Sequence, residues 1–170
     1  KAGFIIHSAI HQARPKDLHC VMHSHEVNSQ TLAASKSKLI PLTQEGCQLY
    51  ERVGYHEFNG IVLNDEEKEK LINAIGNEKH TLLMRNHGLI TAGPTAAWAF
   101  IRHQHFIRNA EVQLKLMASN AEMSIISDNI LKHTREQFEG GSAQAGAKVR
   151  HPEWPAFWRL LDSLDEKWKQ

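Results

Sequence analysis

Apolar positions along the chain recur with two different periods, and the alternation between them outlines the fold. In residues 2–14, AGFIIHSAIHQAR, Phe4, Ile6, Ile10 and Ala13 give a helix one apolar side. Pro15 stops that helix, because the residue before a proline disfavours the α region. HCVMHSH (19–25) has the short apolar and alternating character of a strand. EVNSQTLAAS (26–35) predicts a short helix, KLIPL (38–42) an extended piece, and TQEGCQLYERV (43–53) fits neither period. NDEEKEKLINAIG (64–76) predicts a helix capped by Asn64, with acids in its first turn and Gly76 closing it. HTLLMRNHGLITAG (80–93) reads as two strands, or as one strand broken at Asn86-His87-Gly88. Pro94 is then expected as the first residue of a long helix reaching Ser119, since its missing N–H does no harm there. A further helix is expected around 127–138.

Glycine, alanine and serine dominate EGGSAQAGAK, so residues 139–150 are expected as a flexible linker. It divides a main domain, 1–138, from an amphipathic helix, 151–170, with Trp154, Phe157, Trp158, Leu161, Leu164 and Trp168 near one side. That side suits an oligomer contact or packing on the main domain equally well. Strands alternating with helices define an α/β class. The chain begins at Lys1, without Met, inside a segment that already reads as amphipathic, so a preceding part of the domain is expected.

Composition excludes more than it assigns. A formal net charge of +1 and scattered basic residues argue against nucleic acid or an anionic membrane as partner. No apolar run approaches the roughly 20 residues of a membrane helix. Cys20 and Cys47 form neither a CxxC pair nor a secreted framework, which points to a reducing cytoplasm.

Histidine is the residue type that changes the picture, with 12 in 170 residues. On a strand, residues two apart share a face, so His23 and His25 offer two imidazoles to one side while Ser24 points away. Two such rings can share a divalent ion. The spacing alone leaves surface decoration open. His87 lies at the strand break, beside a glycine that allows close backbone approach. His7 and His11 fall among apolar residues and read as packing histidines. His103 and His105 repeat the HxH spelling on a helix, where residues two apart face different ways. His56, in YHEFNG, reads as a loop histidine.

Three blocks in this order resemble the class II aldolase/adducin family over roughly residues 2–119: the helix ending in Ala-Arg-Pro, the HSH strand, and the Asn-His-Gly turn of LLMRNHGLITAG. QARP and YHEFNGI are closest in spelling to its adducin-like bacterial branch. The resemblance implies a three-layer α/β/α domain around a central mixed, largely antiparallel sheet. It implies a divalent metal ion, usually zinc, with manganese, iron or cobalt as alternatives. It places the ligands at His23, His25 and His87, with Asn86 and Gly88 beside a small-molecule substrate. Three imidazoles leave a coordination position open, which is the arrangement of a catalytic site. The implied chemistry is Lewis-acid stabilisation of an enediolate during C–C cleavage or epimerisation of a hydroxy-carbonyl or sugar-derived compound. The family also implies a cyclic homotetramer.

One departure matters. The catalytic acid of the sugar-phosphate aldolases falls on Gly3 here. A general base contributes typically 10²–10⁴-fold, so its loss is not minor. Glu26 and His56 are the residues available as replacements, with Glu57 a further acid nearby. Two functions are therefore expected to compete: a metal-dependent lyase or isomerase, and a non-catalytic adducin-like binding module with a vestigial site.

Overall fold

In the computed structural model, residues 2–60, 65–144 and 151–164 are described. Helix α1 (Ala2–Ala13) leads into strand β1 (Cys20–Ser24) and helix α2 (Val27–Ala34). A 3-10 turn (Glu45–Leu49) precedes β2 (Val53–His56), α3 (Asp65–Ile75), β3 (Thr81–Met84) and β4 (Gly88–Gly93). Helices α4 (Ala96–Ser119), α5 (Asp128–Gln144) and α6 (Trp154–Leu164) follow.

The strands form one sheet in the order β1-β4-β3-β2. β4 pairs antiparallel with both β1 and β3, whereas β2 and β3 are parallel. The sheet is therefore mixed and mostly antiparallel, as expected. Pleating sends alternate residues of the central strands to opposite faces. Leu82, Met84, Ile90 and Ala92 pack with Ile6, Ile10, Leu71 and Ile75 of α1 and α3. Leu83 and Leu89 pack with Leu32 of α2 and with Phe106 and Ala110 of α4. Two cores thus flank one sheet, giving three layers, α/β/α.

Several elements differ from the sequence expectation, each for an identifiable reason. α1 buries Ile5, Ile6, Ala9 and Ile10, while Phe4, expected on the apolar side, is 78% exposed. α4 begins at Ala96 rather than Pro94, because the Thr95 side chain accepts from the Trp98 amide and fixes the start there. His56 is not in a loop: it ends β2, a strand too short for its alternation to show. The linker expected from residue 139 is helical through Gln144, and Glu139 is tied to Arg52 at 2.9 Å. The extended KLIPL stretch is held by side chains of α4 instead of a neighbouring strand. Asn109 bonds the Ile40 carbonyl and the Leu42 amide, and Gln113 the Lys38 carbonyl and the Ile40 amide. The expected cap Asn64 and residues 145–150 and 165–170, Trp168 among them, lie outside the described residues.

α6 docks on α4 through Phe100, whose ring meets Trp154 at 5.6 Å and Phe157 at 5.2 Å, edge on. Trp158 and Leu164 on the same helix remain exposed.

Candidate metal centre

The histidines converge where β1 ends and β3 turns into β4. His23 lies opposite Ile90 in the β1–β4 ladder. Its Nδ1 is 3.0 Å from the Leu89 carbonyl, which can only accept, so Nδ1 carries the ring proton. The Nε2 of the neutral ring is left as an acceptor, and it faces His25. β1 ends at Ser24, one residue earlier than the HSH pattern suggests, yet His25 still returns its ring to the same side. Nε2 of His23 and Nε2 of His25 are 3.0 Å apart.

His87 arrives from the other direction. Asn86 holds φ 54°, a left-handed conformation that asparagine tolerates better than most residues, and so turns β3 back into β4. The Asn86 amide donates to the Ala33 carbonyl at 3.2 Å, and the Gln30 side chain donates to the His87 carbonyl at 3.1 Å. The turn is therefore pinned to α2. The ring centroid of His87 lies 4.9 Å from that of His23 and 4.8 Å from that of His25. One ligand atom from each ring falls within 4.8 Å of the others.

Gly88 explains why the turn ends as it does. A Cβ there would stand 2.4 Å from the Ser24 carbonyl oxygen and 2.9 Å from the His25 ring. Any side chain would push β4 off β1 and crowd the centre. Gly88 is thus a packing requirement inside the sheet, and Asn86 is the exposed member of the pair.

Electrostatics favour the neutral form of His23 and His87. Burial pulls His23 down to about 4, against the hydrogen bond to Leu89, and the nearby His87 and His25 lower it further. Burial also lowers His87, with His25 and His56 adding to it. Neutral imidazole is the form that binds metal.

Behind β1 runs a polar chain that the sequence did not disclose. Ser24 Oγ is 2.6 Å from Nε2 of His103, and Nδ1 of His103 is 3.0 Å from Thr91 Oγ1. The Thr91 hydroxyl donates to the Ala99 carbonyl at 2.8 Å. With its one proton spent there, Thr91 accepts from His103 Nδ1–H, and His103 Nε2 accepts from Ser24. Every proton in the chain has one place to go. His103 is fully enclosed, and burial pulls it down to about 4. A helical HxH looks featureless in sequence; only the fold shows that Ser24, the residue between the two strand histidines, is its partner.

The expected acid–base residues are placed less favourably. Glu26 caps α2: its carboxylate accepts from the Asn28 and Ser29 amides, each at 3.0 Å. That use of the carboxylate, set by helix end chemistry, turns it away from the histidines. His56 lies near His87, lining one shallow crevice with Met84 and Arg85, but it is buried. Its Nε2 is 3.3 Å from Glu67 Oε2, and burial lowers it despite that acid. Glu57 is exposed. Gly3 is exposed, with nothing within 4 Å of where its Cβ would be.

The chain belongs to the class II aldolase and adducin family, matching over residues 1–114 the family described as Class II Aldolase and Adducin N-terminal domain. Among its relatives is a Pseudomonas aeruginosa protein named after the class 2 aldolases, PA3430, 32% identical over 169 residues; these cover 99% of this chain and 64% of that one. Alpha-adducin of Rattus norvegicus is 31% identical over 172 residues, covering 96% of this chain and 23% of adducin. The solved L-fuculose 1-phosphate aldolase from Glaciozyma antarctica PI12 superposes with a TM-score of 0.70 at 27% identity. That match covers 81% of this chain and 51% of the aldolase. The chain spans less than two thirds of the length of each.

Proposed function

We propose that the chain is the metal-binding part of a class II aldolase-type lyase or isomerase, acting on a small hydroxy-carbonyl or sugar-derived compound. His23, His25 and His87 would hold the ion, with zinc the first expectation and manganese, iron or cobalt as alternatives. The observation that carries this reading is the spacing of the rings. Two imidazole nitrogens each about 2.0–2.1 Å from one tetrahedral ion stand about 3.3 Å apart; Nε2 of His23 and of His25 are 3.0 Å apart. The backbone carbonyl of Leu89 fixes the His23 tautomer as an outer-sphere acceptor does in metal sites.

When bound, the ion supplies Lewis acidity toward a carbonyl and its neighbouring hydroxyl. The protein's own residues hold the His23 and His87 rings neutral, orient His23 through Leu89 and tie His87 to α2. Asn86, exposed on the turn next to His87, is the polar side chain we assign to the substrate. The family supports a small-molecule substrate and a homo-oligomer, a tetramer in our reading, and the free cysteines Cys20 and Cys47 suit the cytoplasm. Among the described residues no helix is long and apolar enough to cross a membrane.

A second reading has its own observation. Neither the family's acid position nor the acid next to the ligands serves the trio: Gly3 offers no side chain, and the Glu26 carboxylate is committed to the amides of α2. A binding module with a retained metal site, as the adducin likeness suggests, needs no such acid. Elemental analysis of protein purified without a chelating tag separates site from no site. One transition-metal ion per chain, absent in His87→Ala, is the expected result. No ion and no affinity for added zinc or manganese sinks the metal reading. Cleavage or epimerisation assays on the loaded protein then decide between enzyme and module.

A further inference from the structure

The sheet has a second end, and it is lined with arginine. Leu18 before β1, Arg52 before β2, His80 before β3 and Pro94 after β4 all border one cavity of about 830 Å³. β4 separates this end from the histidines by about 17 Å, at some 3.4 Å per residue. Arg14, Arg102, Arg135 and Lys16 complete its basic lining, so five cations face three carboxylates, Asp17, Glu78 and Glu139.

A stabilising salt-bridge network would pair these charges off, and part of the lining does so. Arg14 is bonded to Asp17 and to the Lys79 carbonyl. Arg52 meets Glu139 at 2.9 Å and Glu78 at 3.7 Å. The remainder is compensated only in part: Arg135 is paired with Glu51, which lies outside the lining, and Arg102 with no carboxylate among the described residues. Arg102 donates to the Ala92 carbonyl at 2.6 Å and lies 5.1 Å over the Trp98 ring. Among the described residues, no carboxylate lies within ion-pair distance of it. Arg135 is 7% exposed and bonds the Tyr50 carbonyl and Glu51, but its Nε has no hydrogen-bond partner; the nearest Glu139 oxygen is 3.9 Å away. A buried donor left unmade costs free energy that a bound acceptor would recover.

We propose that this cavity is a binding site for a small phosphate-bearing molecule, distinct from the metal centre and independent of the reading given to that centre. Planar guanidinium forks match phosphate oxygens in pairs, and the volume lies in the range of small-molecule sites. The surrounding charge agrees. Burial and then Arg14 hold Arg102 low, at about 10, so it remains a cation that an anion would relieve. His80, enclosed beside them, is pushed well down, first by burial and then by Arg102, Arg52 and Arg14. It is neutral, and at neutral pH it adds no charge of its own.

Pyrophosphate is the probe, titrated calorimetrically into the purified chain and its variants. Saturable binding near one per chain is expected, weakening steeply with added salt. Arg102→Met should weaken it on the order of tenfold or more, as loss of a charge-assisted pair does. Lys16→Glu, on the exposed rim, should weaken it without touching the core and decides the matter if the arginine variant does not fold. His87→Ala should bind as the parent does. No binding by folded protein, binding undiminished in Lys16→Glu and in any folded Arg102→Met, or binding lost in His87→Ala would overturn the proposal.

Discussion

Two stretches of the chain are spelled alike, and they do different work. His-Ser-His at the end of β1 and His-Gln-His within α4 have the same spacing. At the strand end the backbone is extended, so both rings reach one side and meet His87. Within α4 a two-residue step turns the side chain to roughly the opposite side of the helix, about 200° on. His103 points into the sheet toward Ser24 and Thr91, whereas His105 points toward Gln48 and Glu153. The spacing of a motif carries chemistry only through the element that holds it. The fold then joins the two stretches, because the serine between the strand histidines is fixed by a histidine of the helix.

The comparison can be broken at the strand end first. His87→Ala is expected to take metal from one ion per chain to none while the far-ultraviolet circular dichroism stays that of the parent; full occupancy in the variant would remove the trio as a site. The next effect is on stability against pH. His103 is held to about 4 in the folded chain and returns to about 6.5 on unfolding. Between those values the unfolded chain binds the extra proton, so stability rises with pH through this window and is lost as pH falls from 6.5 toward 4. The loss is of the order of a few kcal/mol by denaturant titration, and it should shrink in His103→Gln; an unchanged slope would mean that His103 is not the group responsible.

Smaller still is the effect of the helix pair on the metal. His103→Phe removes the acceptor of the Ser24 proton and, because neither residue bonds a ligand directly, is expected to weaken metal binding by less than about tenfold, the low end for a partner bonded to a ligand. Affinity equal to the parent's would confine the polar chain to stability alone. His105→Phe should leave metal affinity unchanged and cost about 1 kcal/mol of stability through the lost contacts to Gln48 and Glu153. If the two variants affected the metal equally, the contrast between the neighbouring histidines would fail.

Long segments were legible in the sequence: α1, α3, α4 and the paired strands β3 and β4 stand where their apolar residues, acids and breaks put them, with α4 starting two residues later than expected. So were the three histidines, because a strand, a turn glycine and a family pattern agree on them. What was hidden has physical causes. β2 is four residues long and borrows its stability from β3, so no local pattern announces it. Glu26 looked like an acid beside a metal site, but two free amides at the start of α2 claim its carboxylate. Gly140 suggested a loop, yet α5 runs on through it to Gln144. The arginine cavity gathers residues from distant parts of the chain, which only the sheet brings to one end.

The pinning of the Asn86 turn to α2 has a kinetic consequence. His25 adjoins the cap of α2, and His87 hangs from the same helix through the Asn86 amide and the Gln30 side chain. In the metal reading proposed above, an ion would join two pieces of chain latched to one helix, and its release is expected to follow the opening of α2. The Asn86 amide, sealed against the Ala33 carbonyl, is then the clock: its hydrogen exchange and the metal's residence time should lengthen and shorten together.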